Sequence, residues 1–338
     1  MPSPLLPLVF LLILTIPPAS DAWSSLGEYY GSLVSKTIVV DKSGGGDFTT
    51  VQAAVDSVPE NNADWIQISV RSGIYEEKVV IPVNKPYITM LGDSVADTVI
   101  QSYGTGAVYE NTTFTVLAQN FNARYIQFKN TFRPGADGGL QVALAAYLAA
   151  DKISFELCSF IGIQDTLGDL TGRHYFLSSY IEGIVDFIWG FGQSVYQDCT
   201  INATGDVLSP GLAGFITAQG RMSPQDESGY VFLGGKVVGT GKTYLGRAYR
   251  QYSRVVFKST YFSGVVVPEG WNAWNYAGQE ETITYAEIDC FGRGSDTSER
   301  VKWMKDPSAA ELQPVLDINQ FINQDGWLRQ AVKLPDQI

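Results

Sequence analysis

Ile153-Ser-Phe-Glu-Leu-Cys-Ser-Phe-Ile-Gly-Ile163, His174-Tyr-Phe-Leu-Ser-Ser-Tyr-Ile-Glu-Gly-Ile184 and Ser194-Val-Tyr-Gln-Asp-Cys-Thr-Ile-Asn-Ala203 can be laid over one another, with Phe160 over Tyr180 at a spacing of 20 and Gly162 over Gly183 at 21. A period near 20 residues corresponds to one coil per repeat. Short alternating runs also lie elsewhere in the chain: Ile66, Ile68 and Val70; Val79 and Ile81; Ile88 and Met90; Ile126 and Phe128; Ile153, Phe155 and Leu157. Each is bounded by Gly, Pro, Asn or Asp, as strands are. No long helical pattern separates them, so a doubly wound α/β sheet does not fit. The pattern predicts an all-β chain, a right-handed parallel β-helix with several short strands per coil. The alternative, a β-sandwich, needs hairpin turns, and Asp137-Gly138 is the one clear two-residue candidate. One short N-terminal helix is expected over Thr50 to Val58, where Val51, Ala54, Val55 and Val58 follow helical spacing and Pro59 stops the run.

That geometry gives two acidic residues a meaning. Asp165 and Asp186 are 21 residues apart, one coil, which puts them on neighbouring rungs about 4.8 Å apart. At roughly 5 Å and an effective dielectric near 20, two carboxylates repel by about 3 kcal/mol, or about two pK units. One is then favoured protonated while the other stays ionised, so the pair can supply an acid and a nucleophile. Spacing alone equally allows two carboxylates at solvated coil corners.

Composition agrees with many short strands and turns. The 338 residues carry a net charge of −12, with 17% charged residues and 34 glycines. Collagen-like, coiled-coil and helical-bundle readings do not suit it. The acidic balance argues against a nucleic-acid partner, because phosphate binding needs a basic face. Residues 1–22 read as a signal peptide: an apolar stretch from Leu8 to Leu14, then Pro17-Pro18 and a Ser20-Asp21-Ala22 cleavage site. Residues 23–36 are expected to be a leader, and 37–338 the β-helix domain with its C-terminal tail packed over the coils through Trp303, Phe321 and Trp327. No later segment reaches the roughly 20 apolar residues of a membrane helix, so a soluble, secreted chain with no membrane partner is expected. Asn111-Thr112-Thr113 and Asn202-Ala203-Thr204 are glycosylation sequons on that route.

Several mechanisms lose support on residue types alone. His174 is the single histidine, sits in the aromatic run Arg173-His174-Tyr175-Phe176, and reads as a packed structural residue. There is no Gly-x-Ser-x-Gly elbow and no Cys/His cluster with zinc spacing, so no metal is expected. Cys158, Cys199 and Cys290 are too few and too widely spaced for a disulfide scaffold and read as small core residues. Carboxylate chemistry remains.

Four motifs in order, Gly73-Ile-Tyr75-Glu-Glu77, Gln164-Asp165-Thr166-Leu167, Asp186-Phe187-Ile188-Trp189-Gly190 and Leu245-Gly246-Arg247, resemble the motif series of the plant-type pectin methylesterases. The resemblance runs from about Thr37 to the C-terminus. It implies a right-handed parallel β-helix that removes methyl esters from galacturonate residues of pectin, releasing methanol, with no metal or organic cofactor. It further implies Asp186 as nucleophile, Asp165 as general acid and then base, Arg247 as the residue that orients Asp186, and Gln164 with an upstream glutamine as oxyanion donors. Gly73, Tyr75 and Glu77 are expected to stabilise a turn and the cleft wall.

The departures are specific. Where the family has Gln-Ala-Val-Ala-Leu, this chain reads Leu140-Gln141-Val142-Ala143-Leu144-Ala145, and the family's interval from Gln164 lands on Val142, so Gln141 fits only with an inserted residue. Leu245-Gly246-Arg247 continues as Ala248-Tyr249 where the family has Pro-Trp, and Trp189 stands where Phe is usual. Tyr249 and Trp271 are the expected sugar-stacking residues, with Trp274 assigned to the core. No inhibitor-like pro-region fits between Ala22 and Thr37, so the resemblance is to the form without one. It implies a monomeric cell-wall enzyme acting on methyl-esterified homogalacturonan, open to a proteinaceous pectinesterase inhibitor. The alternatives are a catalytically impaired pectin-binding wall protein and another pectin-active β-helix enzyme, a polygalacturonase or lyase.

Overall fold

The computed structural model describes residues 34–135, 139–205, 208–209 and 211–331. The expected signal peptide 1–22, most of the leader 23–36 and the Asp137-Gly138 turn lie outside the described residues. The first strand, Val34–Val40, begins three residues before the domain start expected at Thr37.

Ile153–Glu156, Ser159–Ile161 and Leu167–Thr171 make one coil, and Arg173–Leu177 then lies directly on Ile153–Glu156, pairing Ile153 with His174 and Phe155 with Phe176. Repeating this step builds three parallel sheets of ten, eight and eight strands among the described residues, here called sheets A, B and C in the order in which the chain visits them. The fold is a right-handed parallel β-helix. The register between these two coils is 21 throughout: Phe160 pairs with Ile181, and Tyr180 with Ser159. The expected overlay of Phe160 on Tyr180 is therefore one residue out. Because strand side chains alternate between faces, that residue decides what enters the core. Phe160 and Ile181 are buried, whereas Tyr180 is not.

The chain leaves sheet A through a residue in left-handed backbone: Tyr125, Leu157, Ser178, Asp198, Ser259 and Asp289 all have φ between 48 and 56°. Leu157 thus ends its strand instead of belonging to it. The following residues stack on successive rungs as Cys158, Ser179 and Cys199, through Cys158 O to Tyr180 N and Ser179 O to Thr200 N. Cys158 and Cys199 are two rungs, about 9–10 Å, apart, too far to bridge. All three cysteines are free, and burial pushes the Cys158 and Cys199 thiols up to about 12.

Sheet A carries a stacked aromatic ladder into the core: Phe155 on Phe176, Phe176 on Tyr196, Tyr196 on Phe232 and Phe232 on Phe257, with centroids 4.2–5.6 Å apart. Each such pair contributes about 0.5–1.5 kcal/mol beyond area burial. The expected helix is Val51–Ser57, capped by Thr50 and buried through Val51, Ala54 and Val55. Glu77 of the Gly73–Glu77 motif accepts from Val51 N and Gln52 N, two of the orphan donors of that helix. Phe321 and Trp327 of the tail, with Leu312 and Val315, cover Tyr175, Val195, Val231 and Val256 on the outer face of sheet A, whereas Trp303 packs beside Tyr285 against the main core. Among the described residues no helix is long and apolar enough to cross a membrane. The outer face of sheet C carries the candidate site.

Candidate active site

Asp165 and Asp186 stand where the chain turns from sheet B into sheet C. Gln164 bridges to Val185, and Asp165 N donates to Val185 O at 3.1 Å, so the two aspartates follow each other on adjacent rungs. Both are left-handed, with φ 57° and 48°, the conformation in which non-glycine residues are costly and cluster at functional sites. Three residues before each aspartate is a glycine. A Cβ on Gly183 would lie 2.2 Å from the Phe187 Cβ, and one on Gly162 would lie 2.6 Å from the Thr166 hydroxyl. The Gly162/Gly183 repeat in the sequence is the room these two corners need.

Asp186 is buried and held at two points: Arg247 donates from Nε to Oδ1 at 2.7 Å and from Nη2 to Oδ2 at 2.5 Å. Such a fork pairs charge with fixed geometry. Arg247 is itself sandwiched, with its guanidinium 4.3 Å from the Phe215 ring centroid and 3.8 Å from that of Trp274. Burial raises the Asp186 carboxyl above its ordinary value, and the Arg247 hydrogen bonds and charge limit that rise without cancelling it. Asp165 has no side-chain hydrogen bond to its carboxyl among the described residues. Burial, reinforced by the Asp186 charge, pushes it up to about 7 against the weaker pull of Arg247. Of the two, Asp165 is pushed up further, so the arrangement favours the proton on Asp165 and the negative charge on Asp186.

The other expected residues divide. Gln164 lies on the rung between Val142 and Val185, beside both aspartates. Gln141 is exposed, and Val142 occupies the place next to Gln164. The rung position is fixed by Ala143 N donating to Gln164 O at 3.1 Å, which leaves Gln141 one residue short. Tyr249 flanks the site, 6.2 Å from Trp274 and 5.8 Å from Phe191. Trp271 does not line the cleft. It is 1% exposed, and its Nε1 donates to buried Glu287. Trp274, expected in the core, is 38% exposed and is the tryptophan that meets Arg247. Phe215 escaped the sequence reading because no motif marks it. His174 is fully buried between Asp169 Oδ1 and Ala150 O, away from this chemistry.

The family model for pectinesterase matches residues 37–328. The chain belongs to the pectinesterase family. It is 46% identical to Probable pectinesterase 55 of Arabidopsis thaliana over 296 residues, 86% of this chain and 89% of that one. It is 45% identical to Probable pectinesterase 29 of the same plant, over 86% of this chain and 88% of that one. Among solved structures, the pectin methylesterase from carrot superposes with a TM-score of 0.82 at 31% identity, covering 89% of this chain and 97% of that one. That from Aspergillus niger gives 0.75 at 27%, covering 88% and 96%. The reaction of this pectinesterase is hydrolysis of the methyl esters of pectin. A carboxylate pair with separated protonation, open to the outer face of sheet C, suits that ester chemistry.

Proposed function

We propose that Asp186 is the nucleophile and Asp165 the acid and base of this demethylation. An Asp186 oxygen attacks the ester carbonyl carbon. As the bond to methoxide breaks, Asp165 gives its proton to the leaving oxygen and methanol departs, leaving a mixed anhydride on Asp186. Asp165, now ionised, takes a proton from water, and the hydroxide oxygen attacks the same carbonyl carbon. The bond to Asp186 breaks and both carboxyls return to their starting states. The Gln164 amide donates to the oxyanion of both tetrahedral intermediates, where one well-placed donor is commonly worth about 10²–10³ in rate. Gln141 is given no role. Tyr249 and Trp274 supply aromatic faces for the sugar chain.

The observation that carries this reading is the two-point hold of Arg247 on Asp186 beside a carboxyl pushed up to about 7 at Asp165. The setting proposed is a secreted, monomeric enzyme acting on methyl-esterified pectin of the cell wall, within reach of a proteinaceous inhibitor. Glycans on that route would have to displace existing bonds: Asn111 Nδ2 donates to Thr105 O and Asn202 Nδ2 to Glu182. The test is single-turnover quenching with methylated pectin. Asp165→Asn, lacking the acid for methoxide and the base for water, should form an acyl-enzyme slowly and hydrolyse it slowly, whereas Asp186→Asn should form none; equal behaviour of the two variants would refute the assignment.

A further inference from the structure

Trp274 has backbone φ 50°, a region that a bulky side chain enters only under strain. Its N–H donates to Asn272 Oδ1 at 2.7 Å, which fixes that conformation. Asn272 in turn pairs with Arg247 in sheet C, next to the pairing of Trp271 with Gly246. Behind this strand lies a buried lock. Glu287 accepts from Trp271 Nε1 at 2.9 Å and from Arg300 Nε and Nη2 at 2.7 and 3.0 Å. Arg300 also donates to Pro268 O and Gly294 O. The loop that presents Trp274 is therefore anchored from below, and its strained residue meets the face of the Arg247 guanidinium, with the Tyr249 ring beside it.

We propose that Trp274 is a positioning residue for the reaction: it clamps Arg247 against Phe215 so that the guanidinium fork stays on Asp186. The inference rests on the roles proposed above for Asp186 and Arg247. A guanidinium pinned between two rings loses its water on both faces, so its hydrogen bonds to Asp186 act in a lower dielectric. Strain of this kind persists where surrounding structure over-determines it and function uses it.

Trp274→Gly separates the possibilities, because glycine accepts the left-handed backbone without strain. The melting temperature is expected to hold while kcat/KM for methylated pectin falls at least about tenfold, mainly in kcat. The acidic limb of the pH profile should move up by about one unit, as Asp186 takes a proton more readily without a firmly held Arg247. Trp274→Phe, which keeps an aromatic face, should recover most of both. A rise in KM with kcat and the acidic limb unchanged would make Trp274 a sugar platform only and overturn the proposal. So would a fall in melting temperature with an unmoved pH profile. Asp186→Asn in the same assay keeps the two levels apart: if it remains active, the site assignment itself fails, and if it is dead while Trp274→Gly changes KM alone, only the clamp fails.

Discussion

Arg247 reaches both carboxylate oxygens of Asp186, at 2.7 and 2.5 Å, while Asp165 on the neighbouring rung receives no side-chain hydrogen bond among the described residues. Two carboxyls one rung apart in a largely buried corner do not both ionise cheaply. Arg247, spent on one of them, decides which. Everything chemical in the site follows from that asymmetry.

Removing the cation should equalise the pair. Arg247→Ala leaves a buried carboxylate unpaired, which commonly costs about 3–5 kcal/mol, and kcat should fall at least about a hundredfold. Arg247→Lys keeps the charge but loses the fork and both stacked faces, so it should also be impaired. Near wild-type kcat in the lysine variant would show that charge alone suffices.

The general acid must carry its proton when methoxide leaves. With the Asp165 carboxyl pushed up to about 7, kcat/KM should decline above about pH 7, with an apparent midpoint that belongs to the pair. A profile still rising through pH 9 would contradict Asp165 as the acid in the free enzyme.

Stability should register the same group with a definite sign. The folded Asp165 holds a proton that the unfolded chain releases near pH 4, so stability from this group is lost as pH rises from about 4 through 7. Asp165→Asn, neutral at every pH, should stabilise the protein at pH 8 by on the order of 2–4 kcal/mol and scarcely change it at pH 4. Denaturant unfolding at the two pH values is the measurement, and equal shifts at both would refute the raised carboxyl.

Val142 beside Gln164 leaves one amide where a second would fit. Val142→Gln should raise kcat, up to the 10²–10³ of one oxyanion donor, about 4 kcal/mol at most. Gln141→Ala, at an exposed position, should leave kcat unchanged. A large loss in Gln141→Ala would place that side chain back in the site.

His174 supports the coils instead. Burial alone would lower its pKa, but the Asp169 charge and hydrogen bond, with Ala150 O, raise it. Its stabilisation is therefore present below about pH 6.5 and lost as pH rises through the higher folded value. His174→Ala strands Asp169, which Tyr196 also contacts, and should cost about 3–5 kcal/mol. Activity per folded molecule should not change, as titration of active sites in the variant would show.

The coil period and the carboxylate pair were legible because both are properties of spacing: 21 residues separate Asp165 from Asp186, and the register is 21 there too. The paired glycines were legible as a repeat, though not as the space that Thr166 and Phe187 demand. What spacing does not carry is the path of a loop. The segment before Val142 decides whether Gln141 or Val142 reaches the rung. A left-handed residue at 274 likewise sends one tryptophan outward while Glu287 draws the other in. Phe215 was invisible for a related reason: its partner, Arg247, is 32 residues away in sequence and meets it only once sheet C is stacked.

Methanol release from highly methylated pectin, measured side by side for wild type and Asp186→Asn, tests the central claim most directly. Wild type should release methanol stoichiometrically with new carboxylates, and the folded variant should release none above background. Comparable methanol from Asp186→Asn would contradict an aspartate nucleophile held by Arg247.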